Sequence, residues 1–424
     1  MLYPGTILAS STDLAGRMAR LTSEAGPVAI ILLLTVAVGC VALLTFKKTN
    51  WMIAGYCVAL MFSGHFIDAV DTATTLLRWG IIGLLLLSSV NGTYRLGTIC
   101  TMLSLHWGFS IYSVVWTPTK TFGLQLSVLS LAMTAPAALA MSYCYRKNTN
   151  LDFVPRCLCL AAALFVANGV VGFSSLTGGR FSGATTSAPL FVITGGILMP
   201  TLLWGYFNLD KVKLRNACAV GCLCVFGLCL LSGQRTGFFA GVIGCIPVLA
   251  RFGAKRLAQG IFVLVASVVI GLLAIRLFPE QADFLERRYN VTNFTGREYA
   301  WKWSLIKIQA NPLVGYGAGS HSIRAWGFHN AFLQEWHNAG ILGLILFSGA
   351  FLVALVKSTQ LSFFSALKGH DRELARLMLG WSVTLIMGGF FESKLTSPSN
   401  ILAFCIVQIG IILTHLEQRQ RARI

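Results

Sequence analysis

The chain has 424 residues, of which 55% are hydrophobic and 11% charged, with a formal net charge of +18. Apolar runs recur from Pro27 to Thr414, more than one aqueous core can absorb; this excludes a soluble globular domain and points to an all-α, polytopic transmembrane helical bundle. The basic excess lies in short clusters between apolar runs, with no continuous aromatic-interleaved basic face, so nucleic acid is excluded as a partner and membrane lipids are favoured.

In chain order, candidate spans fall at 27–46, 51–66, 74–90, 96–116, 124–145, 157–176, 189–207, 217–232, 237–250, 259–278, 339–356, 377–391 and 401–416. Each is near the ~20 residues that cross a bilayer as a helix, and several are short. The stretch 1–26 lacks a compact apolar core followed by a small-residue cleavage site, so the first span is expected to act as its own insertion signal. If every span crosses, the clusters Lys47-Lys48, Arg146-Lys147 with Arg156, Lys211 to Arg215, Arg251 to Arg256, 357–376 and 419–423 share one side, expected to be cytoplasmic. The span count is odd and puts Met1 outside, against the preference of Arg17 and Arg20, so one early span is expected to be re-entrant or merged with its neighbour. The organisation is then membrane helices over 1–278, a small helical outer domain over 279–330, and further membrane helices with a basic tail over 331–424.

The 12 cysteines lie in or beside apolar spans. Without a nearby second pair or histidine, Cys157-x-Cys159 and Cys222-x-Cys224 read as buried apolar side chains, so neither a disulfide framework nor a metal or other cofactor is expected.

The opposite face carries the unusual polar residues. Ser232-Gly-Gln-Arg235-Thr-Gly237 interrupts two apolar spans. The segment between Phe278 and His329, about fifty residues, exceeds ordinary loop lengths and marks a functional or separately folded unit. Within it Thr295 and Glu298 form a capping-box pattern that puts Arg297 in a first helical turn. Asn311-Pro-Leu-Val-Gly315-Tyr-Gly317-Ala-Gly319 ends that helix in a flexible bend; no Lys-Ser/Thr follows it, so it is not a nucleotide loop. His329-Asn330 then leads into the next span.

Arg235, Arg297 and His329 therefore make two fixed cations and one switchable base. Guanidinium forks onto phosphate oxygens, and imidazole can take a proton from an attacking sugar hydroxyl, so the set suits a lipid-linked diphosphate substrate. Trp301, Trp303, Trp326, Trp336 and Tyr316 offer faces for sugar rings. Against this, an outward Arg at a helix end is often a lipid anchor, Trp and Tyr at that depth are often belt residues, and Asn330 or Glu335 could simply pair with His329 or His337.

The pattern His329-Asn330, nine residues, Gly340, two residues, Gly343 resembles the signature of bacterial O-antigen ligases within the O-antigen ligase and polymerase family. Arg235 in Ser-Gly-Gln-Arg-Thr-Gly, and Arg297 through Trp301 followed by Asn311-Pro312-Leu-Val-Gly315-Tyr-Gly317, also match; Phe239 stands where the family pattern has Leu. These motifs cover roughly the last half of the chain. The resemblance implies a glycosyltransferase-C-like membrane protein with about a dozen spans and a periplasmic site in the bacterial inner membrane. It would move O-antigen polysaccharide from undecaprenyl diphosphate to the lipid A-core oligosaccharide in lipopolysaccharide assembly, without metal or nucleotide. By that resemblance His329 is the base and Arg235 and Arg297 hold the diphosphate, with Asn330, His337, Arg180 and Trp301 in support.

Within the family, a polymerase or a protein O-oligosaccharyltransferase is the alternative. The short, singly charged outer segment around Arg180 favours the ligase. A transporter is a distant third, because Asp68, Asp71 and Glu392 lie at span ends and mid-span positions are almost all apolar or small.

Overall fold

The computed structural model describes residues 49–65, 67–88, 96–147, 150–172, 181–250, 297–320, 328–396 and 400–422, with scattered positions between 255 and 269. The helices are α1 Thr49–Leu60, α2 Asp68–Ser88, α3 Thr98–Ser113, α4 Lys120–Ala132, α5 Ala138–Lys147, α6 Phe153–Val171 and α7 Ala188–Asn208. They continue with α8 Val212–Leu231, α9 Arg235–Leu249, α10 Arg297–Ala310, α11 Ala331–Thr359, α12 Gly369–Phe391 and α13 Ile401–Arg421. Eight stretches of helix among the described residues are long and apolar enough to cross a membrane, and α1 and α9 are shorter apolar helices. No strand occurs among the described residues, only one bridge between His65 and Thr185. The protein is all-α and passes through the membrane several times. The expected spans at 27–46 and 259–278, and the N-terminal topology conflict, fall wholly or largely outside the described residues.

Helix starts follow local chemistry. Asn330 Oδ1 accepts from Leu333 N at 2.9 Å, capping α11, and Asn400 Oδ1 accepts from Leu402 N and Ala403 N at 3.0 and 3.1 Å, capping α13. Pro136 has no N–H to give, and there the helix widens into a π turn at Met133–Ala137 that joins α4 to α5 as one long span.

Helices in lipid gain little from hydrophobic exclusion, so close approach of small residues takes over. A Cβ on Gly237 of α9 would come within 2.9 Å of the Val192 backbone on α7, and one on Gly241 within 2.7 Å of Gly196 Cα. Gly380 brings α12 equally close to Gly244 of α9. Trp381 Nε1 donates to Thr201 Oγ1 at 2.9 Å and ties α12 to α7. This seam of α7, α9 and α12 fixes where α9 begins, and Arg235 is its first residue.

The bundle interior is less uniformly apolar than the sequence implies. Arg78, His106, Glu335 and Gln408 are all buried. At the end of the bundle away from Arg235, ion pairs join the helix ends. Asp152 accepts from Arg156 Nε at 2.6 Å and lies 2.9 Å from His370 Nε2, Arg419 donates to Asp371 at 2.7 Å, and Lys357 meets Glu417 at 2.8 Å.

Candidate active site

Four chain segments meet at the other end. The turn between α8 and α9 contributes Gln234 and the start of α9 Arg235 and Thr236; α10 begins at Arg297; His329 precedes the cap of α11; Glu392 follows α12. Arg297 Nη2 donates to Glu392 Oε1 at 2.8 Å and Nη1 to Thr236 Oγ1 at 3.2 Å. Gln234 Nε2 donates to the same Glu392 oxygen at 2.7 Å. The other oxygen, Oε2, lies 3.7 Å from His329 Nδ1, a charge contact beyond hydrogen-bonding distance. Arg235 is the residue between Gln234 and Thr236, at the first position of α9, where it flanks the cluster from the helix N-terminus.

Burial separates the roles these groups can play. The Glu392 side chain is 4% exposed and Arg297 17%, whereas His329 is 47% exposed. A carboxylate sunk under the cluster and tied to Arg297 and Gln234 can orient its neighbours, while the imidazole stands open to an incoming molecule. His329 is also the one described non-glycine residue with positive φ, at 48°. Backbone strain of about 1–3 kcal/mol is typical of such positions.

Below His329, α11 is broken. Gly340 has φ 64° and ψ −165°, a region reserved for glycine, so Ala331–Ala339 is a half-helix set off from the membrane span that follows. The groups freed by the break are answered by the chain after α10. Tyr316 N donates to His337 O and Gly317 N to Asn338 O, both at 2.8 Å, while Ile341 N donates to Pro312 O at 3.0 Å. The glycine-rich stretch 311–319 is thus a plug in a broken helix, not a flexible bend. It fits because Gly315 would otherwise place a Cβ within 2.8 Å of Gly340 N and the His337 and Asn338 carbonyls.

The other expected site residues take distinct places. His337 is buried beneath the site, stacked on Tyr316 at 4.7 Å and 15°, with Nδ1 3.3 Å from Ser320 Oγ. Tyr316 therefore has one ring face covered, and its hydroxyl donates to Lys307 O at 3.1 Å. Trp336 Nε1 donates to Pro312 O at 3.0 Å, the Trp301 ring lies 6.0 Å from Phe391, and Trp303 sits under Lys307 Nζ at 5.7 Å. Glu335, expected as a partner of His329 or His337, faces His106 of α3 instead, because the helix turns its side chain inward. Arg180, Thr295 and Trp326 lie outside the described residues.

Glu392 is the residue that sequence reasoning missed. The sequence placed it only at the end of a span, whereas the turn Ser393–Thr396 follows it and its carboxylate lies under three basic or amide partners. The available signal was its isolation: the chain has 15 acidic residues against 33 lysines and arginines, and an acid at this end of the bundle needs a reason.

Residues 220–348 match the family model described as O-antigen ligase, a range that contains Arg235, Arg297 and His329 and stops short of Glu392. Over 347 residues the chain is 22% identical to the exopolysaccharide production protein ExoQ of Rhizobium meliloti (strain 1021), covering 74% of this chain and 77% of that protein. The resemblance read from the His329-Asn330 and arginine motifs is therefore matched by the comparisons: residues 220–348 of this all-α, multi-pass membrane protein are similar to the O-antigen ligase family model.

Proposed function

We propose that this protein is a membrane glycosyltransferase that moves a glycan from undecaprenyl diphosphate to a sugar hydroxyl, acting as a ligase onto the lipid A-core oligosaccharide. The observation that carries this reading is the meeting of Arg297, His329 and Glu392 beside Arg235, where a fixed cation, an open base and a buried carboxylate share one mouth. In the step, the acceptor oxygen attacks the anomeric carbon and the bond from that carbon to the diphosphate oxygen breaks. His329 takes the hydroxyl proton, and the diphosphate leaves with the electron pair, its charge held by Arg297 and Arg235. Glu392 faces Nδ1 of His329, which leaves Nε2 as the atom that receives the proton. Asn330 supports the base by capping α11, and Trp301, whose ring lies near Phe391, flanks the site.

The ion-paired end of the bundle carries many of the basic clusters, which by the positive-inside rule is the cytoplasmic end. The catalytic mouth then faces the periplasm, in the inner membrane, where lipid-linked glycans and membrane lipids reach it sideways.

A second reading, polymerisation of repeat units on the same carrier, is favoured by the likeness to a relative named for exopolysaccharide production. Purified protein given a polyprenyl-diphosphate glycan with either core lipid or a second lipid-linked repeat separates the two. Product on the core lipid is the expected result; product only on the lipid-linked repeat assigns polymerisation, and none on either refutes glycan transfer.

A further inference from the structure

Beneath the site lies a buried pair that the reaction above does not use. His106 of α3 and Glu335 of α11 are 229 positions apart. They meet with Nε2 and Oε2 3.0 Å from each other, and their side chains are 0% and 1% exposed. The contact is not aligned as a hydrogen bond, and His106 Nδ1 and Glu335 Oε1 are also without hydrogen-bond partners. The surroundings are apolar: His106 packs on Trp107 at 4.6 Å and Phe347 at 5.2 Å. Ionisable groups inside a helical membrane bundle are expensive, and two of them left partly unanswered would not persist as packing filler.

The location of the pair supplies a use. Glu335 sits mid-way along the half-helix Ala331–Ala339, between strained His329 at one end and the break at Gly340 at the other. A short rigid rod with a bend at each end has no fixed lateral position of its own. The plug 312–317 holds its lower end by backbone hydrogen bonds. Its flank against α3 meets the buried His106 through Glu335. Glu335 lies four positions into the half-helix that begins at Ala331, about 6 Å along its axis, with Asn330 and His329 directly before it, so a shift of the rod at Glu335 is passed on to the imidazole.

We propose that Glu335, through its contact with His106, is a positioning residue that sets the register of the half-helix and so aims His329 at the acceptor. The inference rests on the reading of His329 as base. A polar contact fixes a separation that apolar packing does not. Replacing a buried pair by two apolar side chains is commonly neutral or stabilising, so structure and position can be separated.

The test uses full-length protein in nanodiscs, with kcat, donor KM and melting temperature measured for Glu335→Leu, Glu335→Gln, His106→Leu/Glu335→Leu and His329→Ala. Glu335→Leu is expected to lower kcat by about 10–100-fold, the effect typical of removing an orienting partner, with donor KM unchanged within about twofold. Glu335→Gln, which keeps shape and a polar contact to His106, rescues most of kcat. The double leucine variant melts at or above the parent temperature yet keeps the low kcat. A double variant with parental kcat overturns the positioning role, as does a Glu335→Leu effect confined to KM or melting. Parental transfer by His329→Ala overturns instead the reading beneath it.

Discussion

Arg297 and Glu392 stand 95 positions apart in the chain and meet at 2.8 Å, and the same carboxylate reaches toward His329 with its other oxygen. The cation assigned to the leaving group and the base assigned to the nucleophile are thereby referred to one buried anchor. Glu392→Gln keeps the shape and removes the charge, and is expected to lower kcat by about 10–100-fold with the protein still inserted and folded. Steady-state transfer assays against a melting curve check this. Parental kcat would leave Glu392 a structural tie only.

Loss of the imidazole at position 329 is expected to reduce transfer by about 10²–10⁴-fold, the range for removal of a general base. At 47% exposure His329 contributes little packing, so the amount of membrane-inserted His329→Ala protein should match the parent. Near-parental transfer in membranes carrying equal protein removes it as base.

The arginines are read as diphosphate ligands because of the fork of donors, not the charge alone. Arg297→Lys and Arg235→Lys should each lose about a hundredfold in transfer despite retaining a cation, comparable to removing one oxyanion donor. Full activity in both would reduce them to interfacial anchors.

These residues were legible in the sequence to different degrees. Arg297 and His329 stand in short motifs whose residue types suit phosphate and proton chemistry, and the structure brings both to Glu392; the apolar runs announced the described helices other than α10, which was read from a capping pattern. Glu392, His106 and Glu335 were not legible, because their meaning depends on which helices become neighbours. The same holds for the stretch 311–319: its glycines declared a turn, but only the packing shows that the turn fills a gap in another helix.

That gap predicts a sensitive position. A Cβ at Gly340 would collide with the Leu313 carbonyl oxygen and would have to adopt a backbone conformation reserved for glycine. Gly340→Ala should destabilise by about 3 kcal/mol or more and abolish transfer, whereas Gly388→Ala, with open space around its Cβ, should be mild. Thermal unfolding of both variants decides this, and equal melting temperatures would argue against the plug.

At the opposite end, burial works to raise the pKa of Asp152, but hydrogen bonds from His370 and Arg156 outweigh it and hold the carboxyl below its usual range. A carboxyl depressed in the folded state stabilises at pH above its unfolded value, about 4, and that contribution fades as pH falls through the folded value. Asp152→Asn should therefore lower stability by about 1–2 kcal/mol at pH 7, with the difference from the parent shrinking as the pH falls through the folded value. Melting curves across that range test the sign, and a gap that persists in acid would contradict it.

Glu392 follows Gln234, Arg297 and His329 in the chain, so during synthesis the ribosome delivers the carboxylate after the groups it will hold together. Until α12 is threaded into the bilayer, the nascent protein holds its arginine and histidine without their shared anion. Assembly of the cluster around Glu392 therefore waits on insertion of that helix.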